Sequence, residues 1–135
     1  MEQYIGTKII YAEPMEKNGR DGYKVVYAPD GYESWSPKDV FEAAYRPTTG
    51  VNFGLAIEAA KQGARIARHG WNGKGMYVFL TEVIEFHTDA DLSEFEDQEV
   101  PCADLLAMRT ARGDIQPGWL ASQVDILADD WYIVE

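Results

Sequence analysis

The first fifty residues alternate short β-branched and aromatic runs with turn residues, which is the pattern of a small sheet. Residues 8–13 predict one strand, and residues 23–27 and 32–35 predict a hairpin around Pro29-Asp30-Gly31. Proline suits the second position of such a turn and glycine the last. Ser36 is predicted to cap a helix that begins at Pro37 and ends near Tyr45, because Pro47 restricts the residue before it. Residues 1–47 are therefore predicted to form a βββα module.

A second pattern begins after the Thr48-Thr49-Gly50 linker and extends over residues 51–135. Asn52 is predicted to cap a helix whose apolar residues recur at helical spacing up to Gly63. Ser122 and Asp125 form a capping-box pattern before a shorter helix. Strands are predicted at residues 65–69, 76–86, 105–110 and 131–135, the last at a sheet edge, with an acidic exposed excursion at 87–100 and a turn at 112–114. The predicted fold class is α+β with a small, mainly antiparallel sheet.

Composition places the chain among globular proteins, with 46% apolar and 26% charged residues in 135. Its apolar runs are far shorter than a membrane span, and the first residues lack the pattern of a signal peptide. Cys102 is the single cysteine, so an intrachain disulfide is impossible. We expect a cytosolic protein that does not bind membranes.

The net charge of −11 argues against binding to DNA, RNA or anionic membranes, because affinity for phosphate backbones needs clustered lysine and arginine. Nine acids lie within residues 75–108, which contain no lysine or arginine. The acidity is thus a local property. It leaves open an acidic protein–protein inhibitor or DNA mimic, which charge reversal at Glu94, Glu96 and Asp97 would inactivate.

Two tryptophan-containing segments, residues 68–76 and 119–131, carry the candidate chemistry. Trp71 lies in a glycine-rich turn, where it either fills the core at a strand end or stacks on a ligand. The glycines allow close approach of the backbone, Asn72 can bind a base edge or ribose, and Lys74 adds a positive charge. The Gly-Lys-Ser/Thr ending of a phosphate-binding P-loop is missing.

The second segment offers Trp119 as a stacking platform, whereas Trp131 is predicted to lie in the core. Ser122 and Asp125 either contact the ligand or simply cap the helix, and Arg109 is either a surface residue or a phosphate ligand. The predicted ligand-binding residues are Arg68, Trp71, Asn72, Gly73, Lys74, Met76, Arg109, Thr110, Trp119, Ser122, Gln123 and Asp125.

Catalytic and metal sites are not predicted. Cys102 and His87 are the available thiol–imidazole pair, and both lie in or beside the acidic stretch without positive neighbours to activate a thiol. Two distant histidines with one cysteine give no zinc spacing, and the acids lack the spacing of an EF-hand. We expect no catalytic residue, no metal and no cofactor.

The helix from Asn52, the segment 63–68, residues 108–111 and the two tryptophan segments, in this order, resemble the phage Thoeris anti-defence sponge family of the second type. The resemblance implies a small α+β protomer in a homotetramer, with ligand pockets between protomers. It also implies non-hydrolytic binding of a cyclic ADP-ribose isomer made by Thoeris TIR-domain proteins, and in some members of cyclic oligonucleotides. Residues 1–47 are additional to the compact form of that family and resemble amino-terminal extensions of other phage proteins.

From this resemblance we expect a non-enzymatic protein that sequesters a cyclic nucleotide-type immune signal in the host cytosol, during phage infection or lysogeny. The rivals are the acidic inhibitor and an enzyme that degrades the same signal. Recovery of intact ligand from the heated complex would exclude degradation. Charge reversal in the acidic stretch would abolish activity only for the acidic inhibitor.

Overall fold

The computed structural model describes residues 1–83, 87–95 and 102–135, which contain two antiparallel sheets and short helices. The first sheet has the order β1-β2-β3 and is followed by α1; its elements are β1 (Ile10–Pro14), β2 (Gly22–Tyr27), β3 (Tyr32–Pro37) and α1 (Lys38–Ala44). The second sheet has the order β7-β6-β5-β4-β8; its strands are β4 (Arg65–Arg68), β5 (Tyr77–Thr81), β6 (Leu105–Arg109), β7 (Ile115–Pro117) and β8 (Trp131–Val134). Helix α2 (Phe53–Lys61) precedes β4, α3 (Gln123–Leu127) precedes β8, and a 3₁₀ turn spans Ser93–Phe95. The predicted α+β class is confirmed.

The first sheet packs against α1 through a stack of aromatic rings. The Tyr23 and Phe41 rings lie 4.1 Å apart, and Phe41 and Tyr45 lie 4.9 Å apart. The predicted hairpin and the end of the helix before Tyr45 are confirmed. The predicted cap is wrong. Ser36 belongs to β3 and its hydroxyl donates to the Pro37 carbonyl, so Pro37 occupies the N-cap position without a side-chain cap.

Helix α2 packs against the second sheet and forms the hydrophobic core with it, and the predicted N-cap of this helix is confirmed. The Asn52 side chain accepts from the Leu55 amide at 2.9 Å. The small residues of α2, which are Ala56, Ala59 and Ala60, are buried against the sheet. Ile66 is the sheet's central core residue, because it faces Val78 on one side and Ile133 on the other. Close packing is possible because alanines let the helix approach the sheet.

The linker before α2 is tied to the edge strand β8. Val51 and Trp131 exchange backbone hydrogen bonds of 2.7 and 3.0 Å, and the Ile133 amide donates to the Thr48 carbonyl at 2.9 Å. Trp131 is completely buried, as predicted, and β8 lies at a sheet edge, also as predicted. The linker region therefore fixes β8, whose first residue, Trp131, is the last residue of the second tryptophan segment.

Two strand predictions require correction. The predicted strand at residues 76–86 is shorter, because β5 ends at Thr81 and residues 82 and 83 are not in a strand; residues 84–86 lie outside the described part. Strand β7 was not predicted at all. It contains three exposed residues ending in Pro117, and its pairing with Ala107–Arg109 of β6 defines it as a strand. Such a short segment has no periodicity of its own to detect.

The described part of the acidic stretch, residues 87–95, is largely exposed, as predicted. Glu85, Glu96, Asp97 and Glu99 lie outside the described residues. Among the residues that the structure describes, no helix is both long and apolar enough to cross a membrane.

Candidate functional site

The two tryptophan segments meet in one aromatic cluster. Trp71 and Trp119 are half-buried, with ring centroids 6.0 Å apart and planes inclined at 68°. Both pack edge-to-face on the buried Trp131, at 5.3 and 6.2 Å, and Phe53 of α2 lies 5.1 Å from the same ring. Such edge-to-face contacts contribute specific geometry as well as burial. The cluster therefore has a buried base, Trp131, and two partly exposed indoles above it.

Asp125 is the hydrogen-bonding centre of this cluster. Its Oδ1 atom accepts from Arg68 Nη1 at 2.8 Å and from the Trp71 indole Nε1 at 3.0 Å. Its backbone carbonyl accepts from the Trp131 indole at 2.8 Å. Two of the three indoles in the cluster are thus oriented by one residue.

The predicted capping box of α3 is present and holds this aspartate in place. The Asp125 amide donates to Ser122 Oγ at 3.1 Å, and Asp125 Oδ2 accepts from the Ser122 amide at 3.3 Å. Capping and indole orientation are therefore two functions of one carboxylate. The sequence had left capping as the alternative to ligand contact; orientation of the indoles was not predicted.

Asp130 is a second acceptor for the Arg68 side chain and also binds the loop that follows β4. Its Oδ1 atom accepts from Arg68 Nε at 2.8 Å, and its Oδ2 atom accepts from the Gly70 amide at 2.7 Å. The side chains of Arg68 and Asp125 are only 13% and 14% exposed, whereas that of Asp130 is 33% exposed. Asp130 was not among the predicted site residues. Its adjacency to Trp131 was the available signal, and the long-range pairing with residue 68 could not be read from the sequence.

The network pairs one guanidinium, that of Arg68, with two carboxylates, those of Asp125 and Asp130. The hydrogen bonds that Arg68 donates to Asp130 and then to Asp125 raise its pKa, against the effect of burial. The hydrogen bond from Arg68 lowers the pKa of Asp130. Burial acts to raise the pKa of Asp125, but donation from Arg68, Trp71 and Ser122 outweighs it and the pKa falls. All three groups therefore stay ionised at neutral pH.

The loop from residue 69 to 76 is held at its far end by Arg109, the last residue of β6. Arg109 Nη1 donates to the Gly75 carbonyl at 2.8 Å. Gly75 has a φ of +72°, and a Cβ there would lie 2.6 Å from Arg109 Nη1. A side chain at Gly73 would collide with Met76 and Ala111. At Gly73 and Gly75, the glycines are thus explained by packing within the protein.

The remaining predicted site residues fall into two groups. Met76 is half-buried against the core, and Thr110 is engaged in the turn, where its hydroxyl donates to Asp114 and its amide to the Asp114 carbonyl at 2.9 Å. Asn72, Lys74 and Gln123 are exposed, and within the described part of the chain they form no side-chain hydrogen bond or ion pair. These three are available to a ligand, whereas Arg68 and Asp125 are occupied internally.

Comparison with known proteins adds a family. Residues 51–134 match the Tad2-like domain, described as the Thoeris anti-defense 2-like domain. The protein named Thoeris anti-defense 2 of Bacillus phage SP01 is 38% identical over 87 residues, which are 64% of this chain and 97% of that protein.

The chain belongs to the Thoeris anti-defense 2-like family. It is thus a member of a family of Thoeris anti-defence proteins with a relative in a phage, which confirms the family resemblance drawn from the tryptophan segments. All twelve predicted ligand-binding residues lie within the matched region.

A large cavity of the described chain lies elsewhere. It has a volume of about 1160 Å³ and is formed by residues 4–12, the end of α1, the linker and one side of α2. None of its lining residues is a predicted site residue, and most of them precede the region that matches the family. A function shared across the Tad2-like family must reside in residues 51–134. We therefore place the candidate site at the tryptophan cluster.

Proposed function

We propose that this protein binds a cyclic ADP-ribose-type immune signal of the Thoeris system, or a related cyclic oligonucleotide, and sequesters it without cleaving it. It would do so in the host cytosol, during phage infection or lysogeny. The observation that carries the proposal is the pair of half-exposed indoles, Trp71 and Trp119, held in fixed orientation inside the family-matched region.

Stacking on these indoles suits a ligand with flat bases. Each base–aromatic stack is worth about 1–3 kcal/mol. Nanomolar affinity corresponds to about −12 kcal/mol, so stacking must be joined by hydrogen bonds to ribose and phosphate. Asn72, which follows Trp71 in the chain, and Gln123, the first residue of α3, supply exposed amides. A rigid site lowers the ordering cost of binding.

The ligand's phosphates need a positively charged or N–H partner, and both Arg68 and Lys74 are among the predicted ligand-binding residues. The charge of Arg68 is shared between Asp125 and Asp130, so this residue serves the protein's own network. Lys74 is exposed and forms no ion pair with the described residues. We infer that Lys74, together with backbone amides of the same loop, meets the ligand's phosphates.

The ionised network favours holding a ligand over reacting with it. General acid–base catalysis works best with a pKa near the operating pH. Here the pKa values of Asp125 and Asp130 are lowered, and that of Arg68 is raised. These groups keep their charges at neutral pH, which suits a binding function better than acid–base catalysis.

We also propose that the protomer assembles with further copies, as a homotetramer, and that the assembly encloses the site. The support is an exposed apolar surface next to Trp119, formed by Leu120, Val124 and Leu127. Leu120 is 89% exposed and Leu127 is 75% exposed.

Sedimentation of the wild type and of Leu120→Asp tests this proposal, with Val40→Asp on α1 as the matched control. The assembly should dissociate only in Leu120→Asp, and a monomeric wild type would contradict it.

The proposal is tested by calorimetric titration with the cyclic ADP-ribose isomer made by Thoeris TIR-domain proteins, alongside cyclic di- and trinucleotides. We expect nanomolar binding of at least one compound. Trp71→Leu and Trp119→Leu should lose it, whereas Trp35→Leu, the same change in the first sheet, should retain it. Absence of binding by the folded wild type would refute the proposal, and a cleaved product in the heated complex would identify an enzyme.

The acidic inhibitor remains the second candidate, favoured by the net charge of −11. It predicts that a variant with reversed charges at Glu94, Glu96 and Asp97 loses anti-defence activity. Glu94 is an exposed residue of the 3₁₀ turn. Sequestration of a small ligand predicts that the same reversal leaves binding intact. An infection assay with this variant and with Trp119→Leu distinguishes the two.

A further inference from the structure

We propose that Asp130 is a positioning residue that fixes the orientation of the Trp71 ring relative to Trp119. The proposal rests on the proposed function only for its consequence, which is tighter ligand binding. Its structural part concerns the ligand-free protein. Asp130 does this by binding the residues that immediately precede Trp71.

All three oxygens of Asp130 bind the corner between β4 and the loop. The backbone carbonyl accepts from the His69 amide at 3.1 Å. The carboxylate accepts from Arg68 Nε at 2.8 Å and from the Gly70 amide at 2.7 Å. Arg68 Nη2 adds a longer contact of 3.4 Å to Oδ2. Three consecutive residues, 68 to 70, are therefore fixed by one aspartate.

Trp71 follows directly and is held at both ends. Its amide donates to the Arg68 carbonyl at 3.3 Å, and its indole Nε1 donates to Asp125 at 3.0 Å. Arg68 also bridges the two aspartates. The contacts among Arg68, Trp71 and Asp125 thus form a closed ring, which joins both tryptophan segments. Asp130 fixes the three residues that precede Trp71, and Asp125 binds the indole of Trp71.

Gly70 supports this interpretation independently. A Cβ at Gly70 would lie 2.8 Å from Asp130 Oδ2 and 3.0 Å from Arg68 Nη2. The absence of a side chain at this position is what permits the 2.7 Å hydrogen bond from its amide. Gly70 is explained by the approach of Asp130, without any role for a ligand.

The consequence of this positioning is a smaller entropic cost at Trp71 when a ligand binds. A Trp71 ring that is already oriented loses little freedom when a base stacks on it, and the loss of rotamer freedom at a binding site costs about 0.5–1.5 kcal/mol per side chain. Both carboxylate oxygens of Asp130 are engaged within the protein. Asp130 therefore acts on binding through the position of Trp71.

The test begins with the ligand-free full chain. Asp130→Asn removes the charge that binds Arg68, and Asp129→Asn is the matched control at the neighbouring exposed position. We expect the indole N–H signal of Trp71, identified with Trp71→Phe, to shift in Asp130→Asn and to exchange with solvent about tenfold faster. The same signal should be unchanged in Asp129→Asn.

A second variant separates positioning from general destabilisation. Gly70→Ala displaces Asp130 without removing its charge, so it should reproduce the altered Trp71 signal. It also decides the matter if Asp130→Asn does not fold. An unaltered Trp71 signal in a folded variant of either kind overturns the proposal.

Binding then tests the consequence. With the cyclic ADP-ribose isomer as probe, the dissociation constant should rise about tenfold in Asp130→Asn and stay unchanged in Asp129→Asn. An altered indole signal with unchanged affinity overturns the link between positioning and binding. If the wild type does not bind the probe, the proposed function fails, and the indole signal alone decides whether Asp130 positions Trp71.

Discussion

Replacing Asp125 by alanine is the most informative perturbation of this fold. The carboxylate accepts three hydrogen bonds, from the Arg68 guanidinium at 2.8 Å, the Trp71 indole at 3.0 Å and the Ser122 amide at 3.3 Å. The variant leaves the first two donors without this partner in a site where the Arg68 side chain is 13% exposed. It also removes half of the capping box of α3.

The expected cost follows from these contacts. A hydrogen bond to a charged group contributes about 1.5–3 kcal/mol, and loss of a cap costs about 1 kcal/mol. Arg68 retains Asp130, which reduces the first contribution. We expect the free energy of unfolding to fall by about 3 kcal/mol in total. For a chain of this size, that corresponds to a decrease in Tm of about 12 °C.

Urea unfolding followed by tryptophan fluorescence and circular dichroism measures this cost. Asp129→Ala is the control, because Asp129 is an exposed neighbour without a described hydrogen bond from its side chain, and it should change stability by less than about 0.5 kcal/mol. A double-mutant cycle with Trp71→Phe, which lacks the indole donor, should show a coupling of about 1 kcal/mol.

The reasoning is refuted if folded Asp125→Ala unfolds within about 0.5 kcal/mol of the wild type, the range of an ordinary surface substitution. It is also refuted if the cycle with Trp71→Phe shows no coupling. In the first case the hydrogen bonds around Asp125 contribute nothing net, and in the second the bond from the Trp71 indole does not couple the two segments.

Three further predictions concern the same region. Trp131→Ala should destabilise by about 3–5 kcal/mol, because the ring is completely buried; the urea midpoint measures this, and a loss below about 1 kcal/mol would contradict it. Gly75→Ala should destabilise more than Gly63→Ala, since both have positive φ but only Gly75 would also meet Arg109; equal urea midpoints would be the contrary result. Acid should destabilise the protein. The lowered pKa values of Asp125 and Asp130 contribute stability that is fully present above the ordinary carboxyl pKa of about 4 and is lost as the pH falls through the lower pKa values of the folded state. The urea midpoint should therefore decline from about pH 6 to about pH 2. Asp125→Asn should flatten that decline.

Local structure was predictable where the signal is local. The cap at Asn52, the capping box of Ser122 and Asp125, and the Pro29-Asp30-Gly31 hairpin turn involve residues close together in sequence, and all three are present. The wrong helix cap at Ser36 illustrates the limit. Strand pairing with β2 extends β3 through Pro37, and this pairing prevails over a local capping pattern.

The candidate site was predictable as a set of segments but not as a set of roles. Trp71, Trp119 and Asp125 were identified from residue type, and the structure brings them together. That Arg68 serves as an internal partner, and that Asp130 belongs to the site, depends on contacts between residues more than fifty positions apart.

The sequence by itself determined the α+β class, most element positions, the tryptophan segments and the family to which residues 51–134 belong. Only the tertiary structure decided which donor pairs with which acceptor. Pairing of β4 with β8 places Arg68 opposite Trp131 and so beside Asp130. Long-range strand register, which no local propensity encodes, therefore determined that Arg68 pairs with a neighbouring aspartate.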